Sequence, residues 1–247
     1  MSQVGIVCAL AAEARHLGPL TRARSRTPVT TLADGTLLCV SGMGAAAAEL
    51  GARALLEAGA TALASWGMAG GLDPSLTAGA ILLPNTVIAI DGSGIATARH
   101  WCERLDAALS PLHPVARGAL LSSARAIGSI AQKAELYRET GAAAVDMESV
   151  AVATVARTSQ VPFIAVRVIV DGAGDVLPRA VTAAADSAGH LQLWRLIGAL
   201  ARSPTDLGPL IRLARRYRVA SQSLADVARV GSLAPYVFAV APDIGMS

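Results

Sequence analysis

Charge is in short supply along this chain. Of 247 residues only 16% are Asp, Glu, Lys or Arg, against 53% hydrophobic, and the formal net charge is +3. The sequence pI near 9.1 therefore reflects a small excess of base on an apolar, Ala-rich chain, not the dense basic surface that grips nucleic acid. No nucleic-acid partner is expected. Cysteine is sparse too: Cys8, Cys39 and Cys102 are odd in number and lack metal-ligand spacing. Cys8 and Cys39 fall in apolar runs, where a small buried thiol is the usual reading, and this points to a reducing, cytoplasmic setting. The four histidines are scattered, so neither a metal nor another cofactor is expected. Mean hydropathy is +0.50, yet the uncharged stretches 58–72 and 74–90 are broken by Gly, Pro or Asn. None of them reads as a membrane-spanning helix. The first apolar run lacks a basic flank and is followed by Glu13 and Arg15, unlike a signal peptide.

What is present is enough chain for one large α/β domain with a real core. The informative stretch is 142–156, AAAVDMESVAVATVA. It opens as a short apolar strand, shows Asp146 and Glu148 around Met147, then becomes an Ala/Val helix. A strand that ends in acids and turns into a helix places polar groups at the carboxyl edge of a sheet, where open α/β folds bind ligands. The same acids also suit simple capping of the helix.

Other segments fit this architecture. Strands are expected at 4–10, 37–41, 62–66, 80–83, 87–90, 118–122 and 163–170, with a hairpin turn at Asp34-Gly35. Helices are expected from Ala11, after Gly44, at 101–109, through 133–138, and up to about Arg202. The run 163–170 is nearly continuous and β-branched, as suits a strand buried on both faces, and its Arg167 needs a partner. Glycines cluster in the loop expected at 67–71, and Asp171-Gly172 follows the last strand. Gly42-Met43-Gly44-Ala45-Ala46-Ala47 fits a loose dinucleotide-binding pattern, but the following strand ends in Ser65-Trp66-Gly67 where an acid should hold the ribose. An NAD-dependent oxidoreductase is kept as a distant alternative.

Taken in order, these motifs resemble the nucleoside phosphorylase and nucleosidase superfamily. Gly5-Ile6-Val7 followed by Glu13 is similar to its opening strand and acid. Ser41-Gly42-Met43-Gly44 is similar to its S-G-I-G turn, and Gly67-Met68-Ala69-Gly70-Gly71 to its G-S/T-A-G-G loop. Val145-Asp146-Met147-Glu148 and Arg167-Val168-Ile169-Val170-Asp171 resemble V-E-M-E and R-x-I-S-D. The match covers roughly residues 4 to 200 and is best to the branch that includes methylthioadenosine/S-adenosylhomocysteine nucleosidase. Within it the chain looks most like the hopanoid-associated phosphorylases, which act on adenosylhopane.

The resemblance implies a single-domain, three-layer αβα fold with a central mixed, partly barrel-like sheet over residues 1–203, and a helical extension over 204–247. It implies cleavage of a purine N-glycosidic bond with release of adenine. Glu148 would hold the ribose hydroxyls and Met147 would pack beneath the ribose. Asp171 would protonate the purine, a role that needs a raised pKa. Glu13 and Arg167 would aim a water at C1′, while Ser41, Gly42, Met68, Ala69 and Gly70 would form the nucleophile or phosphate loop. Met68 replaces the loop hydroxyl and the N-terminal G-x-P-x-R phosphate segment is missing, which favours water. Arg15 and Arg125 stay open as phosphate ligands. The segment 90–101 is short, leaving the 5′ side open to a bulky, even lipid-linked, adenine nucleoside. A homo-oligomer is implied, and a catalytically idle nucleoside-binding member of the fold is the main alternative. In the extension, Leu207, Leu210, Ile211, Leu213, Ala214 and Tyr217 form an apolar helical side opposite Arg212, Arg215 and Arg216. That helix either packs on the domain or lies peripherally on the inner membrane face.

Overall fold

The computed structural model describes residues 3–18, 29–176 and 207–230. The chain begins with β1 (Val4–Cys8) and the single turn α1 (Ala11–Ala14). A hairpin of β2 (Val29–Thr31) and β3 (Leu37–Val40) leads to α2 (Ala45–Glu57) and the long strand β4 (Ala62–Gly71). Short strands β5 (Ile81–Leu82), β6 (Thr86–Ala89) and β7 (Gly94–Ala96) precede α3 (Arg99–Leu109). Then come β8 (Val115–Ala116), β9 (Ala119–Ser122), α4 (Ile130–Thr140), β10 (Ala144–Asp146), α5 (Ser149–Thr158) and β11 (Phe163–Asp171). The last described element is α6 (Leu207–Val230). The helix expected to run to about Arg202 lies outside the described residues.

All these strands form one mixed sheet in the order β2-β3-β1-β4-β10-β9-β6-β7. The sheet forks at β4, which also pairs with β11, and β11 continues through β5 to β8. β1 and β11 lie parallel to β4, whereas β10 is antiparallel to it. This is the expected three-layer arrangement, and side-chain alternation shows how it is built. Val4, Ile6 and Cys8 of β1, Ala62, Ala64 and Trp66 of β4, and Ile164, Val166 and Val168 of β11 share one core with α3 and α6. The intervening residues Val7, Leu63, Phe163, Ala165 and Ile169 pack on the other face against Ala48, Ala52 and Leu55 of α2 and Val152, Ala153 and Ala156 of α5. The period of two thus assigns each strand residue to one helical layer or the other.

Two expectations are corrected. The glycine cluster at 67–71 is not a loop: it is the second half of β4, held by β11 on one side and β10 on the other. Paired on both sides, the segment keeps its extended form despite glycine's poor strand propensity. Of the apolar side assigned to α6, Leu213 and Tyr217 lie on its buried stripe, but Ile211 and Ala214 do not. Ile211 and Ala214 are exposed and Leu213 and Tyr217 half-buried, while Ala220, Leu224 and Val227, spaced at helical intervals, enter the core. Arg216 does not join the exposed basic residues but pairs with Asp175 at 2.5 Å. β7 and β8 were not anticipated.

Close approach of α2 to the sheet requires Gly5. A Cβ there would lie 2.9 Å from the Cβ atoms of both Ala60 and Leu55, which are backbone-fixed and have no rotamer to yield. Gly5→Ala is expected to lower stability by about 1–3 kcal/mol, the usual penalty of overpacking. Urea unfolding checks this, and an unchanged midpoint would show that α2 shifts freely on β1.

Candidate active site

Alternation along β11 places Arg167 on the same face as Ala165 and Ile169, pointing at the start of α5. There it meets Asp146, the last residue of β10. Arg167 Nη2 and Nε donate to Asp146 Oδ2 at 2.7 and 3.0 Å. Nη2 also reaches Ser65 Oγ at 2.6 Å and Ser149 Oγ at 3.0 Å, and Nη1 donates to the Val166 carbonyl at 2.9 Å. Both members of the pair are almost fully inaccessible, at 2% and 1% side-chain exposure. A buried guanidinium is tolerated only with such saturation. Asp146 in turn accepts from Ser122 Oγ at 2.5 Å and from the Ser149 N–H at 3.2 Å, so it caps α5 as well. Arg167 is therefore a fixed charge beneath the site and not an outward-reaching ligand.

Two carboxylates, Glu13 and Glu148, gather above this cation, and a third, Asp171, stands apart from it on a separate cation. Glu13 is presented by α1, whose carbonyl at Glu13 accepts from the Trp66 indole at 3.3 Å. Its Oε1 accepts from the Met68 N–H at 3.0 Å and its Oε2 from the Leu10 N–H at 3.3 Å. The carboxylate lies so close over β4 that a Cβ on residue 67 would be 3.0 Å from Oε2, which only glycine avoids. Burial pushes the Glu13 pKa up, partly opposed by the Met68 N–H and by Arg167. Glu148 Oε1 accepts from the Gly44 N–H at 2.8 Å, so a protein carboxylate occupies the N-terminus of α2 where the dinucleotide alternative would place a pyrophosphate. Burial, then the neighbouring Asp146, raise the Glu148 pKa, and Arg167 opposes them. Asp171 ends β11 and is buried, with its carboxylate ion-paired to Lys133 of α4. Burial raises its pKa and Lys133 opposes the rise.

A cavity of about 190 Å³ connects these groups; Glu13, Met68, Met147, Glu148 and Asp171 line it. It opens beyond the carboxyl ends of β1, β9, β10 and β11, as expected for a fold of this kind. Below it, Glu13, Glu148, Arg167, Ser65 and Met68 wall a second space of about 20 Å³. Ala69 and Gly70 also border the larger cavity. Ser41 and Gly42 border neither, because the Ser41 hydroxyl turns back to the Gly42 carbonyl at 2.9 Å; Met43 takes their place in the wall. Arg125 lines the cavity, whereas Arg15 points to Ser221 of α6 at 3.4 Å. Sequence reasoning did not single out Lys133. Its one signal was a lysine in the first turn of a helix, where a cation opposes the macrodipole.

Residues 3–193 match the model of the phosphorylase superfamily. The chain belongs to that family. No curated protein matches it. Among solved structures it resembles 5′-methylthioadenosine/S-adenosylhomocysteine nucleosidase from Neisseria meningitidis in complex with methylthio-immucillin-A, at 20% identity and a TM-score of 0.67, over 94% of this chain and 100% of that one. It also resembles native futalosine hydrolase of Helicobacter pylori, at 17% identity and a TM-score of 0.67, over 93% and 96%. The Helicobacter pylori methylthioadenosine/S-adenosylhomocysteine nucleosidase with butyl-thio-DADMe-Immucillin-A gives 16% and 0.66, over 93% and 98%. These likenesses establish the fold, a mixed sheet between helical layers.

Removing Asp146 leaves Arg167 charged in the core. Asp146→Ala is expected to cost about 3–5 kcal/mol in urea unfolding, and the double change Asp146→Leu with Arg167→Met to recover most of it. A single variant as stable as the parent would show that the pair does not hold β10 to β11.

Proposed function

We propose that this protein releases adenine from an adenine nucleoside by hydrolysis of the N-glycosidic bond. The observation that carries this reading is the space of about 20 Å³ between Glu13, Glu148 and Arg167. That volume admits a single water, and a phosphate does not fit in it. Of the two arginines considered for phosphate, Arg15 points away to Ser221 and Arg125 reaches the larger cavity.

In this mechanism the ribose lies on Met147, with its hydroxyls donating to Glu148. Asp171, at the other end of the cavity, gives a proton to N7 as the C1′–N9 bond breaks and its electron pair passes to the base. The sugar becomes cation-like, and Glu148 with Glu13 stabilises it electrostatically. The trapped water adds to C1′ and gives its proton to Glu13, and solvent returns the proton balance between Glu13 and Asp171. Arg167 favours the ionised forms of Glu13 and Glu148 against the effect of burial, without touching the substrate. The superfamily match and the nucleosidase folds support this chemistry. Of adenine nucleosides we favour adenosylhopane, on the sequence resemblance to hopanoid-associated phosphorylases and on the apolar wall that Leu10, Met43 and Ile127 give the cavity. Peripheral contact with a membrane would then fall to the first half of α6, where Ile211 and Val219 are exposed beside Arg212, Arg215 and Arg218.

Chromatographic assay of adenine release from adenosine derivatives, with and without phosphate, tests the reading. Activity is expected in phosphate-free buffer with a free sugar as product; strict phosphate dependence with a sugar 1-phosphate product would reject the water mechanism. Asp171→Asn is expected to lower kcat by about a hundredfold or more, the scale of a lost general acid, and near-normal turnover would remove Asp171 from that role. The acid must be protonated, so activity is lost as pH rises through the raised Asp171 pKa. The base must be ionised, so activity is also lost as pH falls through the raised Glu13 pKa. A bell-shaped dependence of kcat/KM on pH follows, and Glu13→Gln is expected to abolish its acidic limb along with most of the activity.

A further inference from the structure

Lys133 is fully buried in the first turn of α4. Two costs fall on it at once: an ammonium leaves water, and it sits at the positive end of a helix. A side chain in that position persists only if its interactions are saturated, and they are. Its Nζ pairs with Asp171 Oδ2 and donates to the Gly172 carbonyl at 2.8 Å and the Asp175 carbonyl at 3.3 Å. The ammonium has three donors, and each has an acceptor on the segment that follows β11. A lysine needed only to fill the core would be replaced at lower cost by an apolar side chain of similar volume.

The receiving segment is itself braced. Asp175 Oδ2 accepts from the Gly172 N–H at 3.0 Å, and its Oδ1 pairs with Arg216 of α6 at 2.5 Å. The charged groups that act most strongly on Asp171 are Lys133 from α4, Asp175 from its own segment and Arg216 from α6, and Arg125, Glu13 and Glu148 line the same cavity. A Cβ on Gly70 of β4 would lie 3.6 Å from both Asp171 carboxylate oxygens and from Val145 of β10. Asp171 Oδ2 is held by Lys133, while among the described residues Oδ1 accepts no hydrogen bond and Asp171 lines the cavity.

We propose that Lys133 is a positioning residue for the reaction: it clamps one oxygen of Asp171 so that the other is left for the purine. This rests on the function proposed above. By the same contact Lys133 sets when Asp171 carries its proton. It opposes the effect of burial, so without it the carboxyl titrates at a higher pH, becomes a weaker acid and loses its orientation.

The test compares the full-length wild type with Lys133→Met and Lys133→Gln. Two quantities are read: the pH dependence of kcat/KM for adenine release, and the titration of the Asp171 carboxyl by carbon-13 NMR, assigned with Asp171→Asn. In Lys133→Met the basic limb and the NMR titration are both expected to move to higher pH, with kcat down by about ten- to a hundredfold from lost alignment and KM little changed. Lys133→Gln keeps a donor without the charge, so it should show the same pH shift with a smaller loss of kcat; it carries the test if the Met variant does not fold. An active variant whose basic limb and Asp171 titration both coincide with the wild type overturns the role of Lys133 alone. A wild type inert toward every adenine nucleoside overturns the function and this role with it, while the NMR comparison, which needs no turnover, still reports whether Lys133 governs the Asp171 proton.

Discussion

Burial of Arg167 is the constraint on which the rest of the site depends. A guanidinium on the inward face of a central strand must find a carboxylate and enough oxygen atoms to use its remaining donors. Asp146 from β10, Ser65 from β4 and Ser149 from α5 meet that demand. In doing so they fix three strands and a helix relative to one another at the carboxyl edge of the sheet. The ion pair is poor evidence for net stability, because its desolvation offsets much of its attraction. Its value is positional: the charge has one place to be, and the elements that supply its partners are placed with it.

The same cation lets carboxylates accumulate where burial alone would neutralise them. Glu13 and Glu148 are each pushed toward the protonated form by desolvation and drawn back by Arg167. Asp171 stands in an equivalent balance with a separate cation, Lys133. With two acids on one buried cation and a third on another, their proton affinities are set by separate charges. The C-terminal helix belongs to this arrangement, because Arg216 reaches the segment that Lys133 also grips.

Much of this was legible in the sequence, for local reasons. The strand, acids and helix of 142–156 appear as β10, a capping turn and α5 because apolar run lengths and cap residues act over a few positions. The out-of-character Arg167 announced that a partner must exist, but the partner lay in Asp146, whose helix-capping role was visible and whose pairing was not. Lys133 could not be found because its contact with Asp171 spans 38 residues of sequence and no period or motif links them. The glycines at 67–71 were misread because local propensity opposes a strand there, and only tertiary pairing with β10 and β11 overrides it. Ser41 was carried over as part of a motif whose shape survives in Met43 and Gly44, while its own hydroxyl bonds to the neighbouring carbonyl. β7 and β8, of three and two residues, are shorter than any pattern can resolve.

The path of β4 has a further implication. Glu13 takes its alignment from the N–H of Met68, and Asp171 is in register with Gly70 on the same strand. Residues two apart on a strand point to the same side and are separated by roughly 6.6 Å, twice the rise per residue. On the function proposed above, this extended backbone would set the interval between the water and the base. Insertion or deletion of one residue between Gly67 and Gly70 would do more than lengthen or shorten it, since a shift of one turns the strand's faces over. A change of length in β4 would therefore reorient the groups around the cavity as well as respace them.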